Sequence, residues 1–347
     1  MNPPLVSVII INLNGKEFLP RCLSSVFRTE YSNFEVIFVD NDSNDDSVEF
    51  VRDNFKDNRL SITKNDRNYG VPGGRNIGSQ SAKGEYIVFL DNDAEVDSTW
   101  LKELVSAFES DTMIAVAQCK LLNMIERNRF DHAGDYLTSL GFLSERSKQD
   151  IDRGQFDKID DILSAKGAAT MIRRSVFEDL GRYDDSYFMY LEETDFCLRA
   201  WQAGYRVVFV PKAIVWHAFV TPLKDTKTHY SSRIVRYYGS RNFITTLIKN
   251  FSVFNLCKFL PIHILSWLFL SILFLFKGKF QDSSCVIRGV FWNLTHLPSI
   301  FKKRSYVQKN IRKVNDQAFL GRVMISQGIG FYFKKAFCYI NNRPFRA

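Results

Sequence analysis

Asp91-Asn92-Asp93 follows directly on the apolar run Tyr86 to Leu90 (YIVFL). Two carboxylates one residue apart at a strand end can address one hard divalent cation, directly or through water, and leave coordination positions for phosphate oxygens. A turn in which an Asp caps the next helix also accounts for these residues. A second acidic run, Val39 to Ser47 (VDNDSNDDS), closes another apolar stretch. Asp45 and Ser47 read as helix caps. Asp40, fused to the strand with Asn41 next to it, is a carboxylate that needs a partner, and a nucleobase N–H or a ribose hydroxyl would serve.

Asn68 to Gly78 (NYGVPGGRNIG) is a glycine-rich turn opening a helix. Exposed backbone N–H groups there, with Arg75 between Gly74 and Asn76, can approach a diphosphate. The spacing is neither that of a Walker loop nor the dinucleotide G-x-G-x-x-G, and a tight turn is the plainer account. Further along, Glu192, Glu193 and Asp195 fall in the first turn of a helix, where the dipole favours carboxylates. Asp195 and Arg199, four apart, can pair along that helix, which explains both. Glu192 or Glu193 is left to act as a base. His217 ends an apolar strand and reads either as a packed core histidine or as a third ligand beside Asp91 and Asp93.

These residues need a scaffold that brings strand ends together. Up to about residue 120, β-branched runs (5–11, 34–39, 60–63 and 86–90) alternate with helical stretches (16–28, 45–54 and 72–82). That is the pattern of βαβ units and a mainly parallel sheet covered on both faces. Asn12 and Asn14, Asp40 to Asp46, and Asp91 to Asp93 each follow a strand, at the carboxyl edge where open parallel sheets bind ligands. Residues 120–166 read as a variable loop carrying a short strand or two over that crevice. Strands at 168–172 and 207–210, a helix at 191–203, a short strand into His217 and a long helix at 231–250 follow.

With 347 residues, 46% of them apolar and 24% charged, the chain is excluded from the disordered and fibrous classes. Its net charge of +8 is polarised: 19 basic and two acidic residues follow position 230, against 27 basic and 36 acidic before it. A cationic, apolar tail on an acidic body points to an anionic surface, and the apolar content selects a membrane over nucleic acid. The six scattered cysteines, without C-x-x-C spacing, read as buried thiols of a reducing compartment. Leu5 to Ile11 lacks a basic leader and reads as a strand, not a signal peptide.

Taken in order, VSVIIINLNG, VDNDSNDDS, NYGVPGGRNIG, FLDND, the long stretch from Gly167 to Val207 and VPKAIVWH resemble the successive motifs of family 2 glycosyltransferases, over residues 5–250. Within that family the chain is most similar to rhamnosyltransferase-like and polysaccharide-assembly members. The resemblance implies a GT-A fold, Rossmann-like with a mainly parallel central sheet and helices on both faces, over residues 1–230. A basic, helical membrane-association region follows over residues 231–347.

It further implies that Asp91 and Asp93 hold Mg²⁺ or Mn²⁺ with His217, and that Asp40 meets the nucleobase. Asn12, Asn14, Asn41, Gly74, Arg75, Asn76, Asn92 and Arg241 complete the donor site. Glu193 stands where the family usually has the Asp of an E-D-x-D pattern, which leaves Glu192 as the alternative base. Arg75 stands where many members have Asn. The implied activity is inverting transfer of a sugar from a nucleoside-diphosphate donor, a UDP or dTDP sugar, to a hydroxyl of a glycan or polyprenyl-linked acceptor in cell-surface polysaccharide assembly. The contrary expectation is an inactive GT-A-like scaffold that binds membranes. An NAD-dependent oxidoreductase would need G-x-G-x-x-G where this chain has INLNG.

Phe259 to Phe276 is 18 residues without a formal charge, about 27 Å as a helix against a hydrocarbon core of ~30 Å. A single crossing would put the basic segment 301–314 on the far side from the catalytic domain, against the positive-inside tendency. The expectation is an interfacial or re-entrant helix on the cytoplasmic face of the cell membrane. A hairpin returning through Cys285 to Phe301 is weakened by Arg288 and His296. A buried helix of a C-terminal subdomain is the remaining alternative.

Overall fold

The computed structural model describes residues 3–147, 149–218 and 232–341. The first half builds β1 (Val6–Asn12), α1 (Leu19–Phe27), β2 (Phe34–Asp40), α2 (Ser47–Asn54), β3 (Leu60–Lys64), α3 (Gly70–Gln80), β4 (Tyr86–Asp91), β5 (Ala94–Val96), α4 (Trp100–Ser110) and β6 (Ile114–Asn123). Short strands β7 (Phe130–His132), β8 (Asp135–Thr138), β9 (Leu143–Glu145) and β10 (Asp160–Asp161) lead to β11 (Ala169–Arg173), α5 (Arg174–Asp179), α6 (Glu192–Gln202) and β12 (Arg206–His217).

Side-chain alternation along each strand feeds two cores. Val6, Val8 and Ile10 of β1 pack with Leu23 of α1 and Trp100 of α4, whereas Ile9 packs on the opposite face with Phe177 of α5 and Phe196 of α6. The sheet order is β10-β12-β6-β11-β4-β1-β2-β3. Strands β3, β2, β1 and β4 run parallel, as do β6 and β12, and β11 lies antiparallel between the two groups.

Two expectations are corrected here. Residues 120–123, read as loop, belong to β6, a ten-residue strand buried throughout. Gln118 and Lys120 break its apolar run and hide it, but both are satisfied: Gln118 Nε2 donates to Cys119 O at 3.1 Å, and Lys120 Nζ to Asp152 and Asp157 at 2.8 and 2.9 Å. The strands expected at 207–210 and before His217 are one strand, β12, whose register with β6 shifts between Val210 and Ile214.

Helices α7 (Ser232–Asn250), α8 (Val253–Phe276), α9 (Phe280–Thr295), α10 (Leu297–Tyr306), α11 (Asp316–Val323) and α12 (Ile329–Ile340) make the C-terminal region, with β13 (Met324–Ile325) pairing to β8. Its core is continuous with that of the sheet: Phe251, Phe259, Phe319 and Val323 share a cluster with Phe196 and Trp201. The expected boundary at 230/231 and the first residue of the expected helix, Ser231, lie outside the described residues. Cys22, Cys119, Cys197 and Cys338 are buried thiols as expected, but Cys257 is exposed and Cys285 half-buried. Both lie on the tail helices, whose outer faces carry no protein layer among the described residues.

Candidate active site

Strand register gathers the polar residues at one edge. Asn12 lies opposite Asp40 across β1 and β2, and Ile11 opposite Asp91 across β1 and β4. The chain then turns into β5, which pairs antiparallel with the end of β12 and sets Ala94 opposite His217. Asp91, Asp93 and His217 thereby offer three ligand atoms within 4.8 Å of one another. His217 Nε2 is 3.2 Å from Asp93 Oδ1 and 3.9 Å from Asp91 Oδ2.

The other ring nitrogen, Nδ1, lies 2.9 Å from Asp131 Oδ2. In the neutral ring this contact places the proton on Nδ1 and aims the Nε2 lone pair at the two carboxylates, the arrangement that orients metal-binding histidines. Burial opposes a charge on His217, but Asp93 and Asp131 outweigh it and raise its basicity well above the ordinary value. Two carboxylate oxygens and an imidazole nitrogen form a donor set suited to Mn²⁺ and compatible with Mg²⁺.

Arg75 is the second centre. Its side chain is 3% exposed and lies among three carboxylates. Nη2 donates to Asp91 Oδ1 at 2.8 Å and to Gly167 O at 2.9 Å, and Nη1 donates to Glu193 Oε1 at 3.0 Å and lies 3.5 Å from Glu192 Oε1. Glu193 Oε1 also accepts from Gly167 N at 3.1 Å. Burial, reinforced by the neighbouring Glu193 charge and offset in part by Arg75, raises Glu192 well above the usual carboxylate range.

A cavity of 1220 Å³ opens onto these groups. Asp91, Asn92, Asp93 and His217 line it together with Glu192, Glu193 and Arg75, and Asn14 and Asn41 line the nucleotide end expected from sequence. Asn12, Asp40, Gly74, Asn76 and Arg241 are not among its lining residues. The structure gives each of them contacts within the fold. Asp40 is fully buried and accepts from Asn12 Nδ2 at 3.1 Å and Ser43 N at 2.9 Å. Asn12 Oδ1 accepts from Asn92 Nδ2 at 2.5 Å, tying the first strand end to the D-x-D turn. Gly74 lets α3 approach Ile11, and Asn76 Nδ2 donates to Tyr183 O and Asp185. Arg241 donates to the carbonyls of Ser186 and Tyr187 at 2.6 and 2.8 Å. The expected Asp195–Arg199 pair is present at 2.9 Å.

The sequence model described as Glycosyl transferase family 2 matches residues 7–181, half of the chain. The chain belongs to glycosyl transferase family 2. The O-antigen biosynthesis protein RfbC of Myxococcus xanthus is 30% identical to this family 2 chain over 222 residues, which cover 62% of the chain but 17% of RfbC. Among solved structures, S. aureus TarS 1-349 in complex with UDP-GlcNAc superposes with a TM-score of 0.59 at 14% identity, covering 98% of this chain and 93% of that one. GalNAc-T7 with UDP, GalNAc and Mn²⁺ gives 0.55 at 21% identity, covering 76% of this chain and 55% of that one. At these identities the likeness is one of fold, a GT-A-like α/β sheet with its helices.

Two further residues of this family 2 site carry no signal in spacing or composition. Asp131 reaches His217 only because β7 pairs with β6. Gly167 leaves room for the Arg75–Glu193 pair, since a Cβ there would collide with both side chains.

Proposed function

We propose that this protein transfers a sugar from a nucleoside-diphosphate donor, a UDP or dTDP sugar, to a hydroxyl of a glycan or lipid-linked acceptor, inverting the anomeric centre. One juxtaposition carries the reading: a single buried guanidinium lies 2.8 Å from Asp91, a member of the metal-type cluster, and 3.0 Å from Glu193, a carboxylate that lines the cavity. The relatives support polysaccharide assembly as the setting through the name of RfbC, and a UDP donor through the ligands of TarS and GalNAc-T7.

Asp91, Asp93 and His217 would hold Mg²⁺ or Mn²⁺, which supplies positive charge against the β-phosphate when the leaving group departs. Asn14 and Asn41 face the nucleotide, with Asp40 and Asn12 fixing the loops that carry them. Glu193 takes the proton of the acceptor hydroxyl. As the acceptor oxygen forms its bond to the anomeric carbon, the bond from that carbon to the β-phosphate oxygen breaks, and its electron pair leaves with the nucleoside diphosphate. Glu192, 2% exposed against 17% for Glu193, is the less accessible of the two carboxylates. Arg75 and the Gly167 N–H hold Glu193 in aim and keep Asp91 in reach of the cluster.

Residues up to about 230 would form the catalytic unit and residues 231–347 an attachment to the cytoplasmic face of an anionic membrane. Helix α8 supports an interfacial placement. Its mean hydropathy over an 18-residue window is 2.2 with 22% of that window buried. It is nevertheless anchored to the body by His263, whose ring packs tilted on Phe142 at 4.1 Å and stacks on Phe243 at 4.5 Å. Basic neighbours would hold lipid headgroups.

Thermal-shift screening of UDP and dTDP sugars with and without Mn²⁺, followed by transfer to lipid-linked acceptors, tests the proposal. Stabilisation that requires the cation, and turnover with an inverted product, are expected. A chain that binds no nucleotide sugar in Mn²⁺ would instead be an inactive scaffold.

A further inference from the structure

The cavity is larger than the ~300–1,000 Å³ typical of a site for one small ligand, at 1220 Å³. Its far half is built by the C-terminal helices. Val235, Gly239 and Phe243 of α7, Ile262, Ser266 and Leu270 of α8, and Ile329, Tyr332, Ala336 and Tyr339 of α12 turn one face each toward it, at the three- and four-residue spacing of a helix stripe. Lys335 is the one formally charged residue these three helices contribute among the described lining residues.

The sheet domain contributes polar lining residues, among them Asp135, Glu145, Lys166 and Glu193. Among those from the tail helices, Phe269, Ile329 and Phe333 are 54%, 76% and 66% exposed and mark a mouth to the surface. That mouth opens on the same apolar surface as Leu265, Ile272 and Phe276 of α8, which are 66%, 48% and 85% exposed.

Resting on the transferase reading, we infer that this apolar half is the site for the hydrocarbon chain of a lipid-linked acceptor. The chain enters from the membrane surface between α8 and α12, its phosphate lies toward Lys166 and Lys335, and the acceptor hydroxyl points to Glu193. A water-soluble glycan acceptor has no use for such walls, because its hydroxyls would go unbonded there. An aromatic mouth and a polar sheet-domain wall match an amphiphile laid along the cavity, with the nucleotide occupying the Asn14 and Asn41 side.

The test is photolabelling of the full chain with farnesyl monophosphate carrying a diazirine, with thermal shift by UDP or dTDP and Mn²⁺ measured on the same samples. Label is expected on the inner faces of α8 and α12, at Ser266, Trp267 and Tyr332. Ser266→Trp and Ala336→Phe fill the passage from opposite walls. Each should lower labelling roughly tenfold, the affinity lost with burial of about two methylenes, while the nucleotide shift persists and reports a folded protein. Label confined to outward residues such as Phe276, or undiminished in both variants, would overturn the channel. The wild-type map decides independently of either variant. If wild type is labelled in the channel but neither nucleotide shifts it, the transferase reading fails and the acceptor assignment with it.

Discussion

Arg75 is one cation serving three carboxylates, and its replacements separate charge from geometry. Alanine would leave Glu192, Glu193 and Asp91 facing one another without their counter-ion. Breaking a buried pair of this kind costs about 3 kcal/mol or more, so Arg75→Ala should lose that much in denaturant unfolding. Lysine keeps the charge but cannot span Asp91 and Glu193 with a planar fork, and Arg75→Lys should recover stability better than turnover. The two glutamates part in the same way. Glu193→Gln removes the proposed base and should cut single-turnover transfer by ~10²- to 10⁴-fold with nucleotide binding retained. Glu192 is the more deeply buried of the two, 2% exposed against 17%, so Glu192→Gln should stay within about tenfold of wild type. Full activity in Glu193→Gln would remove it from the mechanism. Asp91, Asp93 and Glu193 were legible because carboxylates at a strand end and a helix start declare themselves by type and place. Asp131 and Gly167 act only through partners distant in the chain, and no local spacing marks them.

At the scale of elements, α6, which carries Glu193, is aimed by the segment before it. Phe188, Tyr190 and Leu191 take φ of 62°, 64° and 69°, values that non-glycine residues adopt only at a cost. Asn242 of α7 meets that cost by donating to the carbonyls of Tyr187, Met189 and Tyr190 at 3.1, 2.7 and 2.9 Å. Asn242→Ala leaves these carbonyls to find other donors, and should lose about 1–3 kcal/mol of stability together with turnover as α6 loosens. Unchanged turnover in a destabilised variant would make Asn242 structural only. The same junction is tied by Asp184, which accepts from Lys249 at 2.9 Å and Lys303 at 2.6 Å. Burial opposes its charge, but the two ammonium groups outweigh it and hold its carboxyl far below the usual range. A folded pKa depressed below the unfolded value of about 3.9 gives stability that is complete above that value and is lost as pH falls through the folded one. Asp184→Asn should therefore melt lower than wild type at pH 7, and the gap should shrink below about pH 4. A gap independent of pH would show that packing, not the ion pairs, holds the junction. The parallel strands and α6 were readable from periodicity. Strand β6 was obscured by Gln118 and Lys120, and the support of α6 by α7 is a tertiary contact across about fifty residues.

Over the whole molecule, charge and apolar surface are segregated together. The tail that carries +17 after residue 230 also has exposed rows of large apolar side chains on its helices, including Phe254 at 77%, Phe276 at 85% and Phe280 at 67%. The sequence showed that α8 is apolar and the tail cationic, but not that one face of α8 packs on the body while the other stays outward, because the contact of His263 with Phe142 joins distant segments. Two forces should then act in binding to vesicles, and salt separates them. Basic residues near an anionic surface contribute about 1 kcal/mol each within a Debye length, which shrinks from ~8 Å at physiological ionic strength to ~3 Å at 1 M salt. Inserted aromatic surface is indifferent to this screening. Flotation with vesicles containing phosphatidylserine should exceed flotation with neutral ones and fall in 1 M salt without vanishing. The residue should disappear when Leu265 and Phe276, outward on α8 and remote from Glu193, are both changed to Asp. Nucleotide binding should be untouched, since neither side chain lines the catalytic cavity. Equal flotation with neutral and anionic vesicles would dismiss the electrostatic half of this account, and complete release in 1 M salt would dismiss the apolar half.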